Sequence, residues 1–306
     1  MNWNYKLLTG AMLLLFCCEN QTPKQYSTLL EYDQITQITE SNQVVKFIDV
    51  RKSKDFAKGH IAAAMNVWRP DFQSDNFEYS GIMAEKEKIE YLLSNMGIYS
   101  NDLIIIYDNN ANVDAARLWW VLKYYGHEKI ALLNGGYIEW LKNSGEISTI
   151  TASPKLSKYT FNGSENNSIL ASIQEVADGT KNEAVIILDT RTDDEYYGKR
   201  KKKGATRAGR IPNSIHLDWV KSVNFEENMK FKSTEELKNL FAKKGVKHNK
   251  DVIVYCHSGV RSAHTTFVLT ELLGYKNVRN YDGSWTEWSF FEHLPIEIDS
   301  LTTTIK

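Results

Sequence analysis

Short runs of apolar, mostly β-branched residues recur along the chain and alternate with segments of helical character. Leu103–Tyr107 and Asp251–Tyr255 are two such runs, with the length and composition of buried strands. Each is followed by a helical stretch that stops at a glycine, Gly126 in one case and Gly274 in the other. Strand, helix, strand, helix in this order predicts α/β units around a mostly parallel sheet flanked by helices.

This pattern occurs twice. A constant shift of 148 positions superimposes glycines, a tyrosine, a glutamate and a tryptophan: Gly97 on Gly245, Tyr107 on Tyr255, Gly126 on Gly274, Gly135 on Gly283, Glu139 on Glu287 and Trp140 on Trp288. One offset over so many positions indicates a tandem duplication. We expect a first domain at 27–145, a polar linker at 146–167 and a second domain at 168–300. The second copy carries about ten additional residues, within 199–207.

Composition and charge narrow the class of protein. The 306 residues suffice for two domains, and 42% hydrophobic with 25% charged residues is typical of a folded globular chain. With 37 Lys and Arg against 38 Asp and Glu, the chain lacks the basic surplus of nucleic-acid-binding proteins. No apolar run reaches the roughly 18 residues needed to cross a bilayer, which excludes a multi-pass membrane protein. We expect a monomer with small-molecule partners and no nucleic acid.

The amino terminus differs from the rest of the chain. Leu7–Phe16 is a mostly apolar stretch that suits the core of a signal peptide and is too short for a transmembrane helix. Leu15 lies three positions before Cys18, which a polar segment follows, and this resembles the lipobox of bacterial lipoproteins. We interpret residues 1–18 as a signal peptide. This implies export to the periplasmic face of a bacterial membrane, with a lipid anchor on Cys18. A plain export signal cleaved nearby is the alternative.

Cys256 is the only cysteine beyond that segment, so a structural disulfide does not explain it. It follows the strand Asp251–Tyr255 and precedes a helix predicted over 261–273, at the edge of a parallel sheet where ligands bind. The loop 256–261 can turn its backbone N–H groups toward an anion and stabilise a thiolate. Arg261, in the first helical turn, opposes the helix dipole unless an anion lies beside it. These features favour a nucleophile over the alternative, an inert buried cysteine followed by a surface arginine.

The motifs of both copies resemble those of the two-domain rhodanese-type sulfurtransferases of the thiosulfate or 3-mercaptopyruvate class. The resemblance rests on paired early signatures and on later ones: Ile48–Arg51 with Gly59–Ile61, Leu188–Arg191 with Gly209–Pro212, Ala115–Trp120, Asn134–Gly136, Cys256–Ser262 and Tyr281–Trp285 with Glu287 and Trp288. It covers about residues 28 to 297. The fold that it implies is a tandem duplication of rhodanese-like domains, each a mostly parallel sheet flanked by helices.

The resemblance also implies a mechanism. The Cys256 thiolate would take a sulfane sulfur from the donor as a persulfide and pass it to a thiol or cyanide. The loop N–H groups, among them those of His257, Gly259 and Val260, would stabilise the persulfide and bind the substrate. No metal or organic cofactor is needed. The repeat places Asp108 where Cys256 stands, and a carboxylate cannot form a persulfide, so the first domain is expected to be inactive.

The same loop bears on the donor. Ser258, followed by Gly and Val, is similar to the mercaptopyruvate-type loop and slightly favours that donor over thiosulfate. In those enzymes the serine works with a histidine and an aspartate of the first domain. The resemblance assigns the histidine to His60 and leaves the aspartate open between Asp49 and Asp55. The alternative for His60 is a histidine that hydrogen-bonds backbone at a turn.

Arginines of the second copy are candidate anion ligands. Arg191 resembles the arginine that binds the substrate anion in the family, and a guanidinium suits a carboxylate or sulfonate; Arg200 is a weaker candidate. The competing interpretation of Arg191 is an ion pair with Glu195 or Asp194. Arg210 stands where this signature normally carries histidine.

Other features are interpreted as structural. The basic run Lys199–Lys203 is expected to be a solvated loop, or to touch anionic lipid if the chain is anchored. Five tryptophans are interpreted as core and interface packing: Trp119, Trp120, Trp140, Trp285 and Trp288.

Two other classes of protein are considered. A dual-specificity phosphatase has one more residue between its cysteine and arginine than separates Cys256 from Arg261. A non-catalytic binding or redox-sensing module is the second alternative.

Overall fold

The chain forms two α/β domains of the same topology. A computed structural model describes residues 27–41 and 43–299. The strands of the first domain are β1 (Leu29–Leu30), β2 (Val45–Asp49), β3 (His60–Ile61), β4 (Met65–Asn66), β5 (Leu103–Tyr107), β6 (Ile130–Leu133) and β7 (Ile147–Ser148). Its helices are α1 (Tyr32–Glu40), α2 (Ser53–Phe56), α3 (Lys86–Asn95), α4 (Val113–Tyr124) and α5 (Gly136–Lys142), with a 3₁₀ turn at Arg69–Phe72.

The second domain repeats this plan. Its strands are β8 (Leu170–Ala171), β9 (Val185–Asp189), β10 (Ile215–His216), β11 (Asp251–Tyr255) and β12 (Val278–Tyr281). Its helices are α6 (Ile173–Gly179), α7 (Asp193–Tyr196), α8 (Thr234–Lys243), α9 (Val260–Phe267) and α10 (Ser284–Phe290), with 3₁₀ turns at Asn167–Ile169 and Trp219–Ser222 and a π-helical turn at Val268–Leu272.

Two parallel sheets organise these elements. The first has the order β1-β6-β5-β2-β4 and the second β8-β12-β11-β9-β10, so the two domains match strand for strand. β3 and β7 form a separate antiparallel pair. The central strands β5 and β11 have the bounds that the apolar runs predict, because helices cover both faces of a parallel sheet and leave these strands buried. The predicted α/β duplication is confirmed.

The two domains meet along α4 and α9, the helices that follow the central strands. Trp119 of α4 packs edge-on against Phe267 of α9 at 4.9 Å between ring centroids. The five tryptophans interpreted as packing residues are all buried. Since each of these helices starts at the loop after a central strand, the interface lies directly beside both loops.

Helix ends follow the sequence signals with one exception. The Ser233 hydroxyl accepts the Glu236 N–H while the Glu236 carboxylate accepts the Ser233 N–H, which is a capping box at the start of α8. The exception is the helix predicted over 261–273: α9 ends at Phe267 and a π-helical turn continues to Leu272.

The linker packs on the first domain. β7 pairs with β3, so the boundary predicted at 145 lies two residues before the last strand of that domain. Farther along, the Tyr159 hydroxyl lies 2.7 Å from His127 Nδ1, and Tyr159 and Phe161 are buried. Within residues 27–41 and 43–299, no helix is both long enough and apolar enough to cross a membrane.

Candidate active site

Cys256 lies at the carboxyl edge of the second sheet, between the end of β11 and the start of α9. Its side chain is 1% exposed. The loop closes tightly because Gly259 adopts φ +74°, a left-handed conformation that glycine takes without strain. A methyl group at this position would lie 2.6 Å from the Asp282 carbonyl oxygen, so no side chain fits there.

The sulfur of Cys256 is surrounded by hydrogen-bond donors. The Ser262 hydroxyl lies 3.5 Å from Sγ, and the backbone N–H groups of Ser258 and Ser262 also face it. Burial by itself raises the pKa of a thiol, but the positive charge of Arg261 and these donors outweigh it. The pKa of Cys256 therefore lies below the ordinary thiol value. This is the electropositive environment that makes a cysteine nucleophilic.

Ser284 shapes the loop from the neighbouring strand-helix turn. Its hydroxyl oxygen accepts the N–H groups of Cys256 and Gly259, both at 3.1 Å, and donates to the Tyr281 carbonyl at 2.7 Å. Ser284 has φ +51°, which is strained for a residue with a side chain. We attribute the strain to this role in shaping the loop. Ser284 was missed as a functional residue, although the first copy has Gly136 at this position.

Arg261 reaches back across the loop to Glu195 of α7. Its two terminal nitrogens donate to the two carboxylate oxygens at 2.7 and 2.9 Å, a bidentate pair. Although burial raises the pKa of Glu195, the Arg261 hydrogen bonds and charge lower it to about 2. Glu195, one of the two acidic residues considered as partners of Arg191, instead fixes Arg261 beside Cys256.

The additional segment of the second copy covers the loop. The Lys203 carbonyl lies 3.0 Å from His257 Nε2, which therefore donates to it. Burial and the charge of Lys202 lower the pKa of His257 to about 4, so this side chain is neutral. Lys202 belongs to the basic run interpreted as a solvated loop. Its side chain is exposed, yet partial burial and the nearby Arg261 lower its pKa, while the Cys256 charge favours its protonated form. Lys202 thus lies close enough to Arg261 and Cys256 for their charges to act on it.

Arg191 is held by contacts that belong to the fold. Its guanidinium is buried and pairs with Asp189 at 2.6 Å, donates to the Gly209 carbonyl at 2.9 Å and lies over the Trp285 ring. The competing interpretation, a pair with Glu195 or Asp194, is wrong. Arg51 of the first domain makes the same contacts, to Asp49 and to the Gly59 carbonyl. A geometry that recurs in the copy without a nucleophile belongs to the fold.

His60 is fully buried and its two ring nitrogens lie 3.0 Å from the Phe56 carbonyl and 3.2 Å from the Ile150 carbonyl. Both nitrogens therefore face backbone, and the structure does not bring His60 to Ser258. The two candidate aspartates are elsewhere: Asp49 forms its own buried ion pair, and Asp55 pairs with a surface lysine. The turn interpretation of His60 is the one the structure shows.

Three further residues singled out in the sequence are Arg200, Arg210 and Val260. Arg200 is exposed, and its backbone N–H donates to the Asp194 carbonyl. Arg210 pairs with Glu297 and Asp299 at the carboxyl end of the second domain. Val260 is buried at the start of α9. None of these contacts places Arg200 or Arg210 at the loop.

The corresponding loop of the first domain holds its own anion. The Asp108 carboxylate accepts four backbone N–H groups, from Asn110, Asn112, Asp114 and Ala115, at 2.8 to 3.2 Å. Burial and the neighbouring Asp114 charge raise the pKa of Asp108 to about 6. The backbone of this loop therefore forms an anion nest, but it encloses a carboxylate that cannot take up sulfur.

A segment of the first domain, residues 79–83, lies against the Cys256 loop and is called the strap. The Tyr79 hydroxyl donates to Glu287 at 2.8 Å, and the Met83 N–H donates to Asp282 at 2.9 Å. Gly81 packs so closely on Ser258 that a methyl group there would lie 2.6 Å from the Ser258 Cβ. The first domain thus forms one wall of the site.

Comparisons with known proteins agree with this fold. The family model described as the rhodanese-like domain matches residues 31–143 and again 172–290. A Mycobacterium bovis protein named "Putative thiosulfate sulfurtransferase 1" is 38% identical over 266 residues, 84% of this chain and 92% of its own. The sulfur carrier protein TtuD of Thermus thermophilus is 33% identical, over 78% of this chain and 85% of its own. The solved structure of the Tum1 protein from Saccharomyces cerevisiae shares the fold, with a TM-score of 0.77 at 19% identity, over 87% of this chain and 96% of that one.

Proposed function

We infer that this chain, which belongs to the rhodanese-like family and is a sulfurtransferase, moves a sulfane sulfur through a persulfide on Cys256. The observation that carries the inference is the Cys256 thiol, which has a lowered pKa and is held in a nest of hydrogen-bond donors at the carboxyl edge of the second sheet. The first domain has the nest without the thiol.

The reaction proceeds in two displacements. The Cys256 thiolate attacks the outer sulfur of thiosulfate, the sulfur–sulfur bond of the donor breaks and sulfite leaves with the bonding pair. The Cys256 persulfide carries the negative charge on its outer sulfur, where the fixed dipoles of the loop stabilise it. A thiolate or cyanide then attacks that outer sulfur, and Cys256 leaves as the thiolate with which the cycle began.

We propose thiosulfate as the preferred donor. The Ser258 loop favours 3-mercaptopyruvate only if Ser258 has a histidine partner, and both ring nitrogens of His60 face backbone carbonyls. Positive charge from Arg261 and Lys202 supports binding of a dianion instead. The relatives named as a thiosulfate sulfurtransferase and as a sulfur carrier protein support the same class of donor and a thiol acceptor.

The test is steady-state sulfur transfer to cyanide with each donor in parallel, beside Cys256→Ser. We expect turnover with thiosulfate that exceeds turnover with 3-mercaptopyruvate, and none in the variant. A preference for 3-mercaptopyruvate would contradict the choice of donor. No turnover with either donor by folded protein would contradict the catalytic role of Cys256 and support a binding or redox-sensing module.

We also propose that the chain is exported and anchored by a lipid on Cys18, and that it acts as a monomer. The lipobox-like pattern before Cys18 supports the anchor, and it lies outside the residues that the structure describes. Metabolic labelling with a fatty acid in a bacterial host tests it: wild type should incorporate label and Cys18→Ser should not. Label in neither protein would contradict the anchor, and a dimer in sedimentation would contradict the monomer.

A further inference from the structure

We propose that Arg117, in α4 of the first domain, is a positioning residue for the catalytic loop of the second. Its side chain is fully buried and forms an ion pair with Asp282 at 2.5 Å. It also donates to the Gly259 carbonyl at 3.4 Å and to the Gly81 carbonyl at 2.8 Å. One side chain therefore joins the catalytic loop, the following strand-helix turn and the strap. The inference rests on the proposed function.

The domain interface is nearly symmetric around this residue. The Met83 N–H donates to Asp282 across the interface, and at the equivalent place the Phe231 N–H donates to Asn134 at 3.1 Å. Likewise Arg117 reaches the Gly259 carbonyl of one loop, while His264 Nε2 lies 3.1 Å from the Ala111 carbonyl of the other. Each domain thus holds the loop of its partner through the carbonyl of a residue with positive φ.

The two sides of the interface differ in the charge of two equivalent positions. Arg117 and Asp282 form a buried ion pair beside the catalytic loop, whereas the corresponding positions beside the Asp108 loop carry Thr265 and Asn134. A buried ion pair costs desolvation, and packing alone does not require charge at these two positions, since the equivalent positions on the other side are neutral. At these two positions the charged pair lies on the side whose loop holds Cys256, while the other side has a different cross-domain ion pair, Lys230 with Glu31 and Glu139. This difference points to a role in shaping the loop.

The peptide plane supplies the connection to catalysis. In a planar trans peptide the C=O of one residue and the N–H of the next point to opposite sides. By holding the Gly259 carbonyl toward the interface, Arg117 turns the Val260 N–H away from it. We assign that N–H to the outer sulfur of the persulfide, next to the donors from Ser258 and Ser262 that already face Cys256. Arg117 itself touches neither substrate nor sulfur.

The equivalent positions on the other side of the interface show which neutral residues can replace this ion pair. The double variant Arg117→Thr with Asp282→Asn copies the neutral residues of the other side. Its new amide oxygen can still accept the Met83 N–H, as the amide oxygen of Asn134 accepts that of Phe231. His264→Leu is the matched control, because it removes the equivalent cross-domain contact to the loop that has no nucleophile. Unfolding in urea shows that each variant is folded.

We expect the double variant to lose about tenfold in kcat for thiosulfate with KM changed less than about threefold, because the lost donor acts on the developing persulfide anion. Its persulfide, formed with excess thiosulfate, should also decay faster to free thiol. His264→Leu should lose stability and keep kcat within about twofold. Wild-type kcat and persulfide lifetime in the folded double variant, or an equal loss in His264→Leu, would overturn the assignment. Absence of turnover in wild type would instead refute the proposed function.

Discussion

The loop after β5 and the loop after β11 share a backbone shape and differ in the group that they enclose. In the first, four N–H groups converge on the Asp108 carboxylate; in the second, N–H groups of Ser258 and Ser262 face the Cys256 sulfur. In both domains the helix after the neighbouring strand docks on the loop in the same way. The Tyr137 N–H donates to the Asp108 carbonyl, and the N–H of the equivalent residue donates to the Cys256 carbonyl. The anion nest is therefore a property of the fold, and sulfur chemistry is added by the residue inside it.

Three additions separate the catalytic loop from its inactive counterpart. Arg261 stands where the first domain has Val113, and Ser284 stands where it has Gly136. The third is the cross-domain ion pair of Arg117 with Asp282. Each addition brings a charge or a hydroxyl group to the side with the nucleophile, so the two copies can be compared by exchanging these residues one at a time.

The largest expected effect is that of Asp108→Asn, which removes the carboxylate enclosed by the loop of the first domain. With a folded pKa of about 6 against an unfolded value near 3.9, Asp108 binds its proton more tightly in the folded state. Its contribution to stability is full below about pH 3.9 and is lost as the pH rises through about 6, by roughly 3 kcal/mol. The difference in unfolding free energy between wild type and Asp108→Asn should therefore change by that amount between about pH 4 and 7. Urea unfolding across this range measures it, and a constant difference would contradict the buried, ionisable nest.

Arg261→Lys should lower kcat/KM for thiosulfate about thirtyfold. A lysine ammonium cannot span both oxygens of Glu195, so the positive charge moves away from the sulfur and the pKa of Cys256 rises. The rate of Cys256 alkylation as a function of pH tests this cause directly, because its midpoint should move upward. An unchanged midpoint with lost activity would mean that Arg261 acts on the substrate alone.

Substitution of Ser284, which has a left-handed backbone conformation, should have a smaller effect on activity. Ser284→Gly removes the acceptor of two loop N–H groups, and we expect about a tenfold loss of kcat. Stability should change little, since relief of the positive φ offsets the lost hydrogen bonds. The reverse change, Gly136→Ser, places Cβ 2.2 Å from the Asp108 carbonyl oxygen and should destabilise the first domain. Full activity in Ser284→Gly would show that the loop holds its shape without the hydroxyl.

His60→Asn should have the smallest effect on catalysis. Its ring nitrogens face the Phe56 and Ile150 carbonyls, so the variant should lose about 1 kcal/mol of stability and retain kcat within about twofold for either donor. Loss of 3-mercaptopyruvate turnover alone would show that His60 acts together with Ser258, and it would reverse our choice of donor.

The sequence predicts the fold well because the fold rests on local and periodic signals. The strands β5 and β11 and the cap at Ser233 are each encoded within a few residues. The duplication is visible as one offset. Cys256 follows from its place after a buried strand and from the loop motif.

The contacts that shape the site are less predictable because they join distant positions. Arg117 with Gly259, and Tyr79 with Glu287, lie more than a hundred residues apart, and spacing does not reveal them. The ion pair of Arg191 is visible from the repeat, since Arg51 carries the same motif in a copy without a nucleophile. A feature common to both copies serves the fold, whereas a feature of one copy is the better candidate for chemistry.

The most direct test of this account is the location of the transferred sulfur. Wild-type protein and Cys256→Ser are incubated with thiosulfate, without acceptor, and analysed by intact mass and peptide mapping under non-reducing conditions. We predict a gain of one sulfur atom on the Cys256 peptide of wild type, and no gain in the variant. Sulfur on any other peptide, or wild-type protein that remains unmodified while it turns over, would contradict the assignment of catalysis to the second nest.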